Sequence, residues 1–221
     1  MNEFEQALGR YLSPEQLSKI RSVKVGIAGG GGLGSNCAMA LVRTGFRHIK
    51  IADFDVVDYS NLNRQFYFSS QAGLAKVEAL KENLSLINPA VDIEIAQIRL
   101  EAGNMGKIFE DCNVVVEALD RVDYKRLVVE AFLKSDKLLV AASGLAGWGN
   151  SDRIKVHRVR DNFYLIGDLT TGIGPNTPPL APCVFIAAAK QADVVLSYVL
   201  GTCRRTNQNE NSNQYGKFPI Y

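Results

Sequence analysis

The chain has 221 residues, 47% of them apolar, and 25 Lys and Arg against 23 Asp and Glu, for a net charge of +2. This composition suits a globular chain with a sizeable core, and it excludes the low-hydrophobicity signature of disorder and the basic excess of a nucleic-acid surface. The four cysteines contain no CxxC pair, so a thiolate zinc module has no local support and no zinc is expected.

The opening MNEFEQALGR is acidic and lacks the apolar core of a secretory leader. No apolar stretch reads as long enough to cross a bilayer, so a soluble, cytoplasmic protein without membrane contact is expected. Ser13-Pro14-Glu15-Gln16 carries a capping Ser, Pro at the first helical position and Gln three residues after the cap, which predicts a helix to about Arg21. Residues 1–22 thus form an N-terminal helical segment. A short apolar strand over 23–28 is followed by a helix over 33–44 that Gly45 stops, and by a second strand over 48–53.

The alternation continues with a helix over 72–87, a strand over 91–96, a helix over 101–110 despite Gly103 and Gly106, and a buried strand over 113–119. A helix over 122–134 and a strand over 137–143 complete it. Such a series implies βαβ units: an α/β, Rossmann-like three-layer fold with a mostly parallel sheet covered on both faces. Beyond Gly144 two strands over 152–160 and 162–168 read as antiparallel, and Arg153, Lys155 and His157 read as one solvated strand face. A Pro-rich irregular crossover at 172–182 leads to a closing apolar helix over 183–200. The main domain is therefore placed at 23–201, and the polar, Asn-rich tail 202–221 is expected to be disordered.

The run KVGIAGGGGLGSN, 24–36, takes an apolar strand into four consecutive glycines and then a helix. Gly29, Gly31 and Gly34 satisfy GxGxxG. Glycines let a phosphate approach the backbone, and the helix N-terminus supplies unpaired N–H donors. Asp53, 24 residues after Gly29, ends the second strand where a carboxylate can accept from ribose hydroxyls. This arrangement suits NAD and the AMP half of ATP equally.

Further motifs follow: DFDVVDYSNLNRQ, GLAKVEAL, INP and VVVEALDR, after GGGGLGS. In this order they resemble the ThiF/MoeB/HesA family of adenylyltransferases, which activate small ubiquitin-like sulfur carriers. ASGLAGWGNSD and FYLIGD look like a compact ThiF-like subgroup of thiamine biosynthesis without the zinc module. The resemblance implies Mg-ATP as cosubstrate, a carrier ending in Gly-Gly as partner, and a homodimer. It also implies roles: Gly31 and Gly34 shape the loop beside the phosphates, Asp53 holds the ribose, and Asn61, Arg64 and Lys76 contact the phosphates. Asp120 would hold magnesium, although it also stands where it would cap the following helix.

The chain departs from the family in having Arg121 where Asn is usual after that Asp. The family's arginine from the neighbouring subunit falls to Arg10 or Arg21. Cys183 lies within the closing-helix motif and reads as packing rather than as a nucleophile, and Asp55 and Asp58 read as structural. Three rival functions remain: an ATP-dependent tRNA-modifying dehydratase of the same superfamily, a nicotinamide-dependent oxidoreductase resting on the glycine loop alone, and a non-catalytic scaffold that keeps the fold and docks a partner.

Overall fold

The computed structural model describes residues 2–202. Nearly all of the tail expected to be disordered, with Cys203, lies outside the described residues. Two helices open the chain, α1 (Glu3–Leu8) and α2 (Pro14–Ser22). The capping box of α2 is as its sequence predicts: the Ser13 hydroxyl accepts from the Gln16 amide at 3.2 Å, and Gln16 Oε1 accepts from the Ser13 amide at 2.9 Å. The alternating core then runs β1 (Lys24–Ala28), α3 (Gly32–Arg43), β2 (His48–Ala52), α4 (Lys76–Ile87), β3 (Asp92–Ala96), α5 (Met105–Ile108), β4 (Val114–Glu117), α6 (Val122–Phe132) and β5 (Leu138–Ala142). It ends in β6 (Lys155–Arg160), β7 (Phe163–Gly167) and α7 (Ala181–Val199).

These strands form one seven-stranded sheet in the order β3-β2-β1-β4-β5-β7-β6. Every pair is parallel except β6 with β7. The side-chain period of two sorts each buried strand onto two cores. Val114, Val116, Leu138 and Val140 join α3, α4 and α7 on one face. Val115, Leu139 and Ala141 join α5 and α6 on the other. That is the three-layer α/β architecture the alternation predicts.

At Gly34 the packing leaves no room for a side chain. A Cβ there would lie 1.8 Å from the Gly29 carbonyl oxygen. Gly34→Ala is therefore expected to destabilise the protein by at least about 3 kcal/mol, at or beyond the upper end of ordinary overpacking. Thermal melting measures this; an unchanged midpoint would show that α3 and the loop can part cheaply.

Several expectations need correction. Within the N-terminal helical segment the sequence signals mark only the helix from Ser13; α1 is a second, short helix that depends on Asn2, whose Oδ1 accepts from the Glu5 amide, and on buried Glu5, which pairs with Arg47 at 2.8 Å. The predicted helix 72–87 begins only at Lys76, because Gly73 sits at φ +88° and a 3-10 turn, Ser69–Gln71, precedes it. The predicted helix 101–110 shrinks to four residues, as two glycines weaken a short segment. Arg153 lies in a 3-10 turn, Ser151–Arg153, and its guanidinium is bonded to Asp168, so it does not share a solvated strand face with Lys155 and His157. Contrary to the reading of the apolar stretches, α7 has the length and hydropathy to cross a membrane: 19 residues at a mean of 1.3. It packs against α3 and β5 and buries eight residues, among them the polar Gln191.

Candidate active site

The strand order reverses direction between β1 and β4, and ligands of open α/β sheets bind at the carboxyl ends of strands at such a switch point. A cavity of about 900 Å³ opens there. Gly29, Gly31 and Gly32 form one wall, with Gly31 as the N-cap of α3 and no side-chain cap on that helix. The amide donors of its first turn are thus left for a ligand.

Asp53 closes the end of β2. One carboxylate oxygen accepts from the Gly30 amide at 2.6 Å and the other from the Asp55 amide at 2.8 Å. The side chain is 8% exposed and lies on the cavity wall, with lone pairs left over for further donors. Tyr67 braces the same loop by donating to the Gly30 carbonyl at 2.7 Å; burial, and after it the charge of Asp53, push its hydroxyl well above the usual tyrosine range.

The segment after β2 is anchored to α3. Asn36 donates to the Arg64 carbonyl at 2.9 Å, and the Ser35 hydroxyl accepts from the Phe66 amide at 3.0 Å. This holds Arg64 on the cavity wall, where its Nη1 donates to the Ser60 carbonyl at 3.1 Å and to Asn63 Oδ1 at 2.7 Å. Burial lowers the guanidinium's pKa from its ordinary value, while the charge of Asp120 works in the opposite direction. Lys76, the first residue of α4, is 6% exposed and reaches the wall with its Nζ 2.9 Å from Asp55 Oδ2. Asp55, read as structural, is thus the partner of a cavity lysine.

Asp120 is exposed on the wall beyond β4. Helix α6 is capped at Arg121 without a side-chain bond, so Asp120 does not serve as its cap. Among the described residues no group of three or more His, Cys, Asp or Glu converges as a metal cage. A single carboxylate nonetheless fits magnesium, which is commonly held by one or two carboxylates together with substrate phosphates and water.

Two predicted residues stand apart. The Asn61 side chain faces away into its own turn, accepting from the Asp58 amide at 3.1 Å, and is not on the wall. Gly34 is packed behind the loop rather than facing the cavity. Cys183 is 1% exposed in the core within α7's first turn, as its motif suggests.

The structure also adds residues that sequence reasoning missed. Gln65 is buried on the wall, and its Oε1 has no partner among the described residues. Glu117 is 1% exposed at the end of β4; it accepts from the Leu119 amide at 2.7 Å and pairs with Lys125 at 3.1 Å. A lone acid inside VVVEAL was the available signal, since a buried charge needs a partner. At the far rim Arg99 lies 4.1 Å over the Phe54 ring and 3.3 Å from the Tyr124 hydroxyl, with Arg121 5.1 Å from the Tyr124 ring centre.

Hydrogen bonding gives the cavity edge a pH dependence. Burial alone would raise the Asp168 carboxyl, but bonds from Thr171, Thr170 and Arg153 hold it well below the usual range. A depressed carboxyl contributes stability that is complete above its unfolded pKa of about 4 and is lost as pH falls through the folded value. Asp168→Asn is therefore expected to flatten the acid limb of a stability curve below about pH 4. Chemical denaturation from pH 7 to 3 checks this; parallel acid limbs would refute it.

A glycine loop, the Asp53 carboxylate, Arg64, Lys76 and Asp120 around one cavity at the switch point of a mostly parallel sheet define a Rossmann-type α/β protein. The ThiF family profile matches residues 5–219, and the chain belongs to the ThiF family. It is 29% identical over 215 residues to the adenylyltransferase and sulfurtransferase UBA4 of Candida glabrata, covering 91% of this chain and 48% of that protein. It is 35% identical over 145 residues to SUMO-activating enzyme subunit 2 of Dictyostelium discoideum, covering 65% of this chain and 21% of that subunit. The chain thus spans about half or less of the length of these relatives.

Among solved structures, E. coli TcdA, a tRNA N6-threonylcarbamoyladenosine dehydratase, in complex with ATP, superposes with a TM-score of 0.83 at 19% identity, over 93% of this chain and 97% of that one. E. coli MccB with ATP superposes with a TM-score of 0.67 at 20% identity, over 91% of this chain and 65% of that one. Identities this low show a shared fold.

Proposed function

We propose that the protein is an ATP-dependent adenylyltransferase that activates the C-terminal Gly-Gly carboxylate of a small ubiquitin-like sulfur carrier, within thiamine biosynthesis and in the cytoplasm. The observation that carries this reading is the convergence of Asp53, Arg64, Lys76 and Asp120 on one cavity that also runs to the crossover. The names of the relatives, adenylyltransferase and SUMO-activating enzyme, support the reaction class and the kind of partner.

In this reading an oxygen of the carrier carboxylate forms a bond to the α-phosphorus of ATP. The bond to the β-phosphate bridging oxygen breaks, and pyrophosphate leaves. A carboxylate is already a nucleophile, so no protein base is required. ATP carries about four negative charges at neutral pH, and catalysis is then positioning with charge stabilisation. Asp53 orients the ribose, while Arg64 and Lys76 balance charge on the phosphates as a planar fork and a point charge. Magnesium bound at Asp120 would supply further charge neutralisation. The glycine amides hold the phosphates against α3.

A homodimer completes the proposal. Arg21 points its guanidinium at buried Glu5, 4.0 Å away, which leaves exposed Arg10 as the residue to reach a neighbour's phosphate. The test is carrier-dependent exchange of labelled pyrophosphate into ATP across a panel of Gly-Gly carriers. Exchange with one carrier supports the reading, and exchange with none refutes it.

A second reading, ATP-dependent modification of tRNA, draws on the cationic rim of Arg99, Arg121, Arg126 and Arg160 around the same cavity. ATP consumption stimulated by tRNA and not by carriers would favour it. ATP is preferred over a nicotinamide cofactor because the cavity joins Arg64 and Lys76 to the glycine loop; binding of NADH but not ATP would reverse that preference.

A further inference from the structure

The crossover leaves β7 through a knot of bonds centred on one side chain. Asp168 Oδ1 accepts from the Thr170 amide at 2.9 Å and from the Thr171 amide at 2.8 Å. Its Oδ2 accepts from the Thr171 hydroxyl and from Arg153 Nη1. The other arm of the same guanidinium donates to the Ala146 carbonyl. One carboxylate therefore ties together the end of β7, the Ser151–Arg153 turn and the strand-end loop after β5. Both charged side chains are largely buried, Asp168 at 12% exposure and Arg153 at 19%.

The residue between these anchors is unusual. Leu169 has φ +66°, the one positive φ for a non-glycine among the described residues. A bulky residue in this region persists only where its surroundings over-determine it. The Asp168 bonds to Thr170 and Thr171 supply that constraint immediately downstream, and the Leu169 amide donates to the Ser143 carbonyl at 3.2 Å. The strained residue and its neighbours Thr170, Thr171 and Gly172 all line the cavity. Farther on, the crossover is tied down again where Gly147 donates to the Pro178 carbonyl at 2.9 Å and Asn63 donates to Pro179 at 3.3 Å.

These groups lie away from the glycine loop. Asp53, Arg64 and Lys76 belong to the half of the sheet around β1 and β2, whereas Asp168 and Arg153 belong to the β5–β7–β6 half. We propose that Asp168 and Arg153 are positioning residues for the acyl substrate: they set the path of residues 169–173 along the cavity and so shape the acceptor side of the site, leaving nucleotide binding to the other half. This inference rests on the carrier reading above, because it assigns the acceptor side to an extended carboxyl-terminal peptide.

The test uses the full chain with ATP and a Gly-Gly carrier. Asp168→Ala and Arg153→Met are each expected to raise the carrier KM about tenfold, with kcat changed less than about threefold, since each removes one or more charge-assisted hydrogen bonds. ATP affinity, read by calorimetry without carrier, is expected to stay within about twofold. Amide hydrogen exchange at Thr170 and Thr171 is expected to quicken at least about tenfold in Asp168→Ala. If that variant fails to fold, Thr171→Val, which removes a single hydroxyl, is expected to show the same split at about threefold.

Faster loop exchange with an unchanged carrier KM would overturn the proposal, as would ATP affinity falling in step with KM. If the wild-type protein acts on no carrier, the carrier reading fails and takes the acceptor assignment with it. The exchange measurement then still reports whether Asp168 holds the segment, so the two failures are distinguishable.

Discussion

Asp120→Ala is expected to reduce carrier-dependent pyrophosphate exchange by at least about a hundredfold, the scale of losing one preorganised group that meets developing charge. The folded state is expected to survive, because Asp120 is exposed and caps no helix. Arg64→Ala belongs to the same test. Its guanidinium is fixed on the cavity wall by Ser60 and Asn63, so alanine removes a positioned cation while the turn's backbone bonds remain. Arg64→Lys is expected to restore little, since an ammonium cannot reproduce the planar fork. Residues acting on one transition state are not additive, so the double variant is expected to fall well short of the product of the two effects. Full exchange in a folded Asp120→Ala protein would remove Asp120 from the reaction.

Lys125→Met is expected to cause a large loss of stability. Glu117 is 1% exposed, and Lys125 donates to both of its oxygens at 3.1 Å and to the Ala142 carbonyl at 3.0 Å. Removing the cation leaves a buried carboxylate without its counter-charge, which costs about 3–5 kcal/mol. For a chain of this size that corresponds to a fall in Tm of about 6–20 °C. Adding Glu117→Gln to Lys125→Met is expected to recover a substantial part of the loss, because the uncompensated charge disappears. A double variant no more stable than the single would show that packing of the lysine stem, rather than charge, holds α6 against the strand ends.

The same pair shows what the sequence could and could not disclose. Period-two strands and period-3.6 helices placed the β1–α3–β2 unit and the strand series through β5 within a residue or two, because local pattern and burial agree there. The glycine loop, Asp53, Arg64, Lys76 and Asp120 were legible because they sit in long motifs, and the structure brings Asp53, Arg64, Lys76 and Asp120 to one cavity. What stayed hidden is contact between distant segments. Glu117 and Lys125 are eight residues apart across a strand end and a helix, a spacing with no helical or strand meaning. Asp168 and Arg153 are joined only once β7 has folded back on β6. Asn61 shows the opposite case: it belongs to the motif, yet its side-chain oxygen accepts within the Asp58 turn and the residue is not on the cavity wall. Helix α1 failed for a related reason, since six residues gain their stability from the distant Arg47 rather than from propensity.

Helix α7 has one more consequence. It packs on α3 in the glycine-loop half of the sheet and on β5 and β7 in the other half, and its Gln191 donates to the Glu117 carbonyl at 2.9 Å. One rigid rod is thus bolted across both halves, and among the described residues no interdomain hinge separates them. Enclosing a substrate is left to side chains at the cavity mouth such as the rim arginines, because residues 169–171 are tied to Asp168 and Ser143. Exposed side chains change rotamer in picoseconds to nanoseconds, whereas collective domain closure takes microseconds to milliseconds. Small-angle scattering is therefore expected to give the same radius of gyration with and without ATP.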